Sequence, residues 1–199
     1  YTDFDKQALN DPNNRPVRYV TWYNALAYAD WLNEKLSVFS KQGTSKGAFW
    51  QRLADGSLRV TLPSEAEWEK AARGTDGRIY PWGNGFDLNK VNNDDTGIGT
   101  TSVVGCFPTG ASPYVLLDMS GNLWEWTRSI YGDYPYPEDG SERKKREDLD
   151  ADRNSSRVLR GGAFYHDLNL VRCASRYWHY PFDRDNHHGF RVIVSPFSS

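Results

Sequence analysis

The chain has 199 residues and a net charge of −2, too balanced to offer the basic footprint that nucleic acid or an anionic membrane surface attracts. No apolar run reaches the roughly 18 residues of a membrane helix, so membrane insertion is not expected. Two cysteines, Cys106 and Cys173, exclude a disulfide scaffold and point to a reducing, cytoplasmic compartment, while eight Trp, 12 Tyr and nine Phe make aromatic rings the main source of apolar contact area. The chain begins at Tyr1 rather than Met and shows no secretory leader pattern, and a longer parent protein is expected.

Taken in chain order, residues 1–16 are polar and rich in Asn and Pro and read as loop. In "TWYNALAYADWLNEKLS", residues 21–37, Thr21 can cap a helix whose inner face is Trp22, Ala25, Leu26, Ala29, Leu32 and Leu36. Residues 40–58 carry Gly, Ser, Lys and Gln and read as exposed loop. A short strand over Leu58–Leu62 follows, then a second helix with the capping box Ser64/Glu67 and a stop at Gly74. From there to residue 122 the chain is turn after turn. The charged run 138–156 reads as a solvated loop, and "SRVLRGGAF" and "HGFRVIVSPF" have strand composition. One α+β domain is expected across residues 1–199, with two helices near its start and little regular structure after them.

Five segments, "RVTLPSEAEWEKAARG", "YPWGN", "LLDMSGNLWEWT", "RVLRGGAF" and "GFRV", occur in the order seen in the formylglycine-generating-enzyme (sulfatase-modifying factor) family, and the chain resembles that family from about Pro16 to Val194. The resemblance implies a variant of the C-type lectin fold. It also implies a calcium site at the turn "DMSGNLWE", with side-chain ligands from Asp118 and Glu125 and main-chain carbonyls from Gly121 and Leu123. The chemistry is apt, because Ca²⁺ takes six to eight oxygens and would offset the cost of burying two acids among tryptophans. The competing reading bonds both acids to local amides or to Arg128. A second family calcium site falls on Asn92, Asn93 and Asp95.

The enzyme of this family oxidises a substrate cysteine with copper held by a thiolate pair shortly after "RGG". Here that stretch reads "RGGAFYHDLNLVRCASR": His166 stands where the first Cys is expected, and Leu170 or Val171 near the second. Cys173 reads as a small core residue and Cys106 matches no catalytic position. G-x-S-x-G, P-loop and H-E-x-x-H patterns are absent. A copper-dependent oxidase is therefore the second reading.

In place of the catalytic stretch lie two insertions, Tyr165–Leu170 and Tyr177–His188, 18 residues that hold all four histidines of the chain; 12 of the 18 are Tyr, His, Asp or Asn. Those four amino acids share the codon shape N-A-pyrimidine and differ by the first base alone. A strand would favour Val, Ile and Thr. The set is similar to the variable region of a diversity-generating retroelement protein, in which template adenines are randomised. Residues 165–188 are the candidate variable region, and its expected contact residues are Tyr165, His166, Asp167, Asn169, Tyr177, Trp178, His179, Tyr180, Phe182, Asp183, Asp185, Asn186, His187 and His188. Tyr and Trp give large, stiff contact area and Asp, Asn and His adaptable hydrogen bonds, so the expected partner is a protein or other macromolecule. His187 and His188 hint at a transition metal, but neighbours on an extended chain point apart.

Overall fold

The computed structural model describes residues 11–41, 47–138 and 140–196. The expected opening loop lies outside these residues up to position 10, and the rest of it carries no helix or strand. Helix α1, Trp22–Lys41, starts where Thr21 and Asn24 cap each other: the Thr21 hydroxyl accepts the Asn24 amide at 3.0 Å, and the Asn24 side chain accepts the Thr21 amide at 3.0 Å. Trp22, Ala25 and Ala29 of its expected inner face are buried, whereas Leu26, Leu32 and Leu36 stay half-covered.

The stretch expected to be exposed loop between residues 40 and 58 contains helix α2, Ala48–Ala54, apart from residues 42–46, which are not described. Its apolar residues explain the difference: Leu53 is buried, and Trp50 packs edge-on against Phe39 of α1 with centroids 5.5 Å apart. Strand β1, Arg59–Thr61, comes next, and helix α3, Glu65–Arg73, forms the expected capping box: Ser64 Oγ accepts the Glu67 amide and Glu67 Oε2 accepts the Ser64 amide. Residues 75–123 contain three short 3₁₀ turns and no strand.

Strand β2, Trp124–Ile130, is the centre of the molecule. It pairs antiparallel with β3, Arg157–Arg160, which pairs antiparallel with β4, Arg176–His179. On its other side β2 pairs in parallel with β5, His188–Phe190, so the sheet order is β4-β3-β2-β5. Strand β6, Ile193–Ser195, returns to β1 as a separate antiparallel pair with Val60 opposite Val194.

The charged run 138–156 is not wholly a solvated loop. It forms helix α4, Gly140–Arg146, followed by Glu147, whose carboxylate is buried against Arg128 at 2.7 Å and accepts the Tyr136 hydroxyl at 2.8 Å. The core groups Trp22, Leu62, Trp124, Trp126 and Leu159 on one side of β2 and Trp68, Ala72, Met119 and Cys173 elsewhere. Among these sits a buried ion network in which Glu65, wholly shielded, faces Arg160 and Arg176. Such a network is fixed by geometry, because removing one charge strands the others.

Candidate ligand-binding face

Strand alternation separates the Trp-Glu-Trp triplet into two jobs. Trp124 and Trp126 point to one side of β2 and Glu125 to the other. On the tryptophan side Trp124 stacks on Tyr177 at 5.5 Å and meets His166 at 5.5 Å, while Trp126 lies edge-on to His188 at 5.3 Å. Further contacts close a circuit: Tyr177 to His179 at 5.1 Å, His179 to His188 at 4.6 Å, His188 to His187 at 4.4 Å, His187 to Tyr165 at 5.0 Å, and Tyr165 to His166 at 4.2 Å. The two insertions, separate in sequence, therefore meet over the two tryptophans.

β4 alternates as well. Trp178 faces away from this circuit, toward Tyr131 at 6.1 Å, and leads on to Tyr180 at 5.9 Å, which stacks on Phe182 at 5.5 Å. The Arg153 guanidinium covers the Phe182 ring. The expected contact residues thus form two aromatic groups on the two sides of an edge strand. Tyr131 and Arg153 join them, although neither carries a sequence signal for it.

Tyr165, Asp167, Asn169, Tyr177, Trp178, Tyr180, Phe182 and Asp185 are exposed; His166, His179, Asp183 and Asn186 are half-buried. Two residues differ from expectation. His187 is 8% exposed and His188 only 1%, so they form the floor of the face rather than its contact surface. The physical cause is that the His188 amide bonds back to the Asp185 carbonyl at 3.1 Å, turning the chain inward onto β2. The same turn breaks the extended geometry that would have pointed the two rings apart. Burial pushes the His187 pKa down to about 4 and that of His188 to about 2, so both rings are neutral near neutral pH. Asp167 and Asp183 also act locally: Asp167 accepts the Asn169 and Leu170 amides, and Asp183 accepts the Tyr180 amide.

The main chain of the insertions is pinned from outside. The Tyr19 amide donates to Asp185 O, the Trp22 amide to Pro181 O, the Asp94 amide to His166 O, and the Trp124 amide to His187 O, all between 2.9 and 3.1 Å. These bonds do not depend on which side chain the acceptor residue carries.

On the other side of β2, Glu125 accepts Trp68 Nε1 at 2.7 Å, and both of its oxygens accept from the Arg191 guanidinium. Arg191 also donates to the carbonyls of Leu117 and Asp118. Asp118 adopts a left-handed φ of 56° and accepts the Gly105 amide at 2.7 Å; burial raises its pKa. As arranged, the Asp118, Gly121, Leu123 and Glu125 set does not fit a calcium ion, because a guanidinium already supplies the positive charge. Gly121 has a different constraint: at φ 71°, a Cβ would sit 2.2 Å from the Asn92 carbonyl. That contact joins this turn to the loop of the second expected site. There Asn92 and Asn93 are buried, and Asn93 donates to Asp95 at 2.9 Å. Asn93 Oδ1 has no hydrogen-bond partner. A buried acceptor left without a donor, next to a carboxylate, fits a cation that prefers oxygen.

The copper site of the resemblance does not fit. His166 Nδ1 accepts the Ala163 amide, Val171 is buried, and the Cys173 thiol is enclosed, with burial pushing its pKa up to about 12. Cys106 is exposed and unbridged.

The geometry defines a class: a small α+β domain, poor in regular structure, whose aromatic loops are mounted on a four-stranded sheet. The chain belongs to the family described as "Sulfatase-modifying factor enzyme 1-like domain", which it matches over residues 2–196. It is 32% identical over 177 residues to serine/threonine-protein kinase pkn1 of Chlamydia pneumoniae, covering 88% of this chain and 23% of that protein. It is 30% identical over 209 residues to the formylglycine-generating enzyme of Thermomonospora curvata, covering 95% of this chain and 58% of that protein. It thus spans less than two thirds of either relative. Among solved structures, Treponema denticola variable protein 1 superposes with a TM-score of 0.64 at 23% identity, over 93% of this chain and 73% of that one, a likeness of fold. No helix among the described residues is long and apolar enough to cross a membrane.

Proposed function

We propose that this chain is a non-catalytic binding protein whose insertions, residues 165–188, form a diversified contact face for protein ligands. The observation that carries the reading is the separation of main chain from side chain. The insertions are held by backbone bonds to Tyr19, Trp22, Asp94 and Trp124, while Tyr165, Tyr177, Trp178, Tyr180 and Phe182 stand exposed. A face built this way can change its side chains without losing its shape, which is what a retroelement target with a C-type lectin scaffold requires. Exposed, stiff aromatic rings favour a protein ligand over a small molecule.

The test is the nucleotide sequence around the gene. A near-copy of the segment encoding residues 165–188 is expected nearby, differing where the copy has adenine; a locus with no such copy overturns the reading. The competing copper-dependent oxidase draws support from the relative named for that activity, but this chain lacks the thiolate pair. Supplied with copper and oxygen, the protein is expected to leave a cysteine-containing peptide unchanged. Turnover would favour the oxidase.

A structural Ca²⁺ is part of the proposal at Asn92, Asn93 and Asp95, where Asn93 Oδ1 lacks a partner. It would brace the loop against which Gly121 packs. The set at Asp118, Gly121, Leu123 and Glu125 is served by Arg191 instead.

A further inference from the structure

We infer that His179, His187 and His188 form a binding site for one transition-metal cation of the Zn²⁺ class. The three residues lie in the segment that the binding proposal reads as diversified, so the site belongs to this chain's own side chains and would be absent from a chain carrying other residues there. The three rings offer ligand nitrogens that all lie within 4.8 Å of one another, the one such group of three among the described residues. Zn–N bonds of about 2.0–2.1 Å place imidazole nitrogens about 3.3 Å apart in a tetrahedron, so ring rotation on the scale of an ångström closes the site.

Hydrogen bonding sorts the nitrogens. His179 Nδ1 meets Asp183 Oδ2 at 3.1 Å, and His187 Nδ1 meets Asn186 Oδ1 at 3.0 Å with Asp185 Oδ1 at 3.4 Å. Each of these rings is therefore held on one side by an oxygen and keeps Nε2 for a metal. This is the arrangement in which a carboxylate or amide orients a ligating imidazole and raises its basicity. His188 is the telling member. It is 1% exposed, and neither of its nitrogens has a hydrogen-bond partner. The Trp126 ring beside it can take an N–H only weakly, which leaves the second nitrogen as a buried acceptor with nothing to accept. A metal satisfies that nitrogen. Asp183 and Asp185 then offset the cation's charge.

The placement also has a consequence for the fold. His179 ends β4 and His188 begins β5, the two edge strands of the sheet, yet their rings are 4.6 Å apart. A bound ion would staple the two edges and close the segment between them, which carries Tyr180 and Phe182.

The experiment is a Co²⁺ titration of the metal-free full chain, followed by visible absorbance, with Zn²⁺ displacement to give affinity and stoichiometry. One ion per chain is expected, together with the intense visible bands of four-coordinate Co²⁺. His179→Gln, a half-exposed position that leaves the buried rings in place, should weaken Zn²⁺ binding by at least about 100-fold. Asp183→Asn should weaken it by about 10–100-fold, as loss of an orienting carboxylate does. The proposal is overturned if the parent binds no ion saturably, or if folded His179→Gln, checked by circular dichroism, binds as tightly as the parent.

Discussion

At the scale of single residues, Glu125 shows how one side chain is chosen by its surroundings. It lies between two tryptophans in sequence, yet strand alternation sends it to the opposite side of β2, where Trp68 and Arg191 take its oxygens. Glu125→Gln removes the charge that faces Arg191. Arg191 keeps partial access to solvent. The expected loss of stability is therefore about 2 kcal/mol, below the ~3–5 kcal/mol of a fully buried pair, measured by urea unfolding. The same variant separates the two calcium hypotheses. Adding Ca²⁺ should raise the Tm of the parent and of Glu125→Gln equally, and should leave Asp95→Asn unmoved. A calcium shift abolished by Glu125→Gln would instead place the ion at the 118–125 turn. The sequence made the acids visible, because carboxylates beside tryptophan demand a counter-charge. It did not reveal that the counter-charge is Arg191, 66 residues away, since only the parallel pairing of β2 with β5 brings them together.

Among the elements, those with a local code were legible and those without one were not. α1 and α3 carry an apolar stripe and a capping pattern, and both form where expected. α2 and α4 sit in polar stretches. α4 has no buried face at all and is fixed at its end by Arg146 donating to the Gly132 carbonyl at 2.6 Å and by Glu147. Contacts of that kind depend on distant residues and leave no periodicity behind. The cap of α3 gives a pH-dependent prediction. Burial works to raise the Glu67 pKa, but Arg128, 2.7 Å away, and the Ser64 amide outweigh it and hold the group below its ordinary value of 4.5. The folded chain then binds fewer protons than the unfolded chain in that window. The stabilisation is complete above about 4.5 and is lost as pH falls through the depressed value. Glu67→Gln keeps an acceptor for the Ser64 amide but not the charge. The stability gap between parent and variant, from denaturant curves, should be constant from neutral pH down to about 4.5 and shrink below it. A gap that persists undiminished at lower pH would mean that the charge of Glu67 does not carry the effect.

For the whole molecule, the question is whether the face and the body are energetically independent. The body has its own interior: three buried tryptophans around β2, the Glu65–Arg160–Arg176 network, and the β1–β6 pair that ties the front of the chain to its end. The insertions add backbone bonds to that body but place most of their large side chains outside it. Surface substitutions away from special features stay within about 0.5 kcal/mol. Tyr165, Trp178, Tyr180, Phe182 and Asp185 are exposed. Their combined replacement by Asn, Ser, Asn, Ser and Asn should therefore move the Tm by only a few degrees. Tyr180 and Phe182 stack on each other, so their two losses couple and should not add. The control is Trp126→Ala, which empties the floor under His188 and should cost about 3–5 kcal/mol. If the five surface replacements cost as much as that one core replacement, the rings are part of the body. The face could not then be varied without unfolding the domain that carries it.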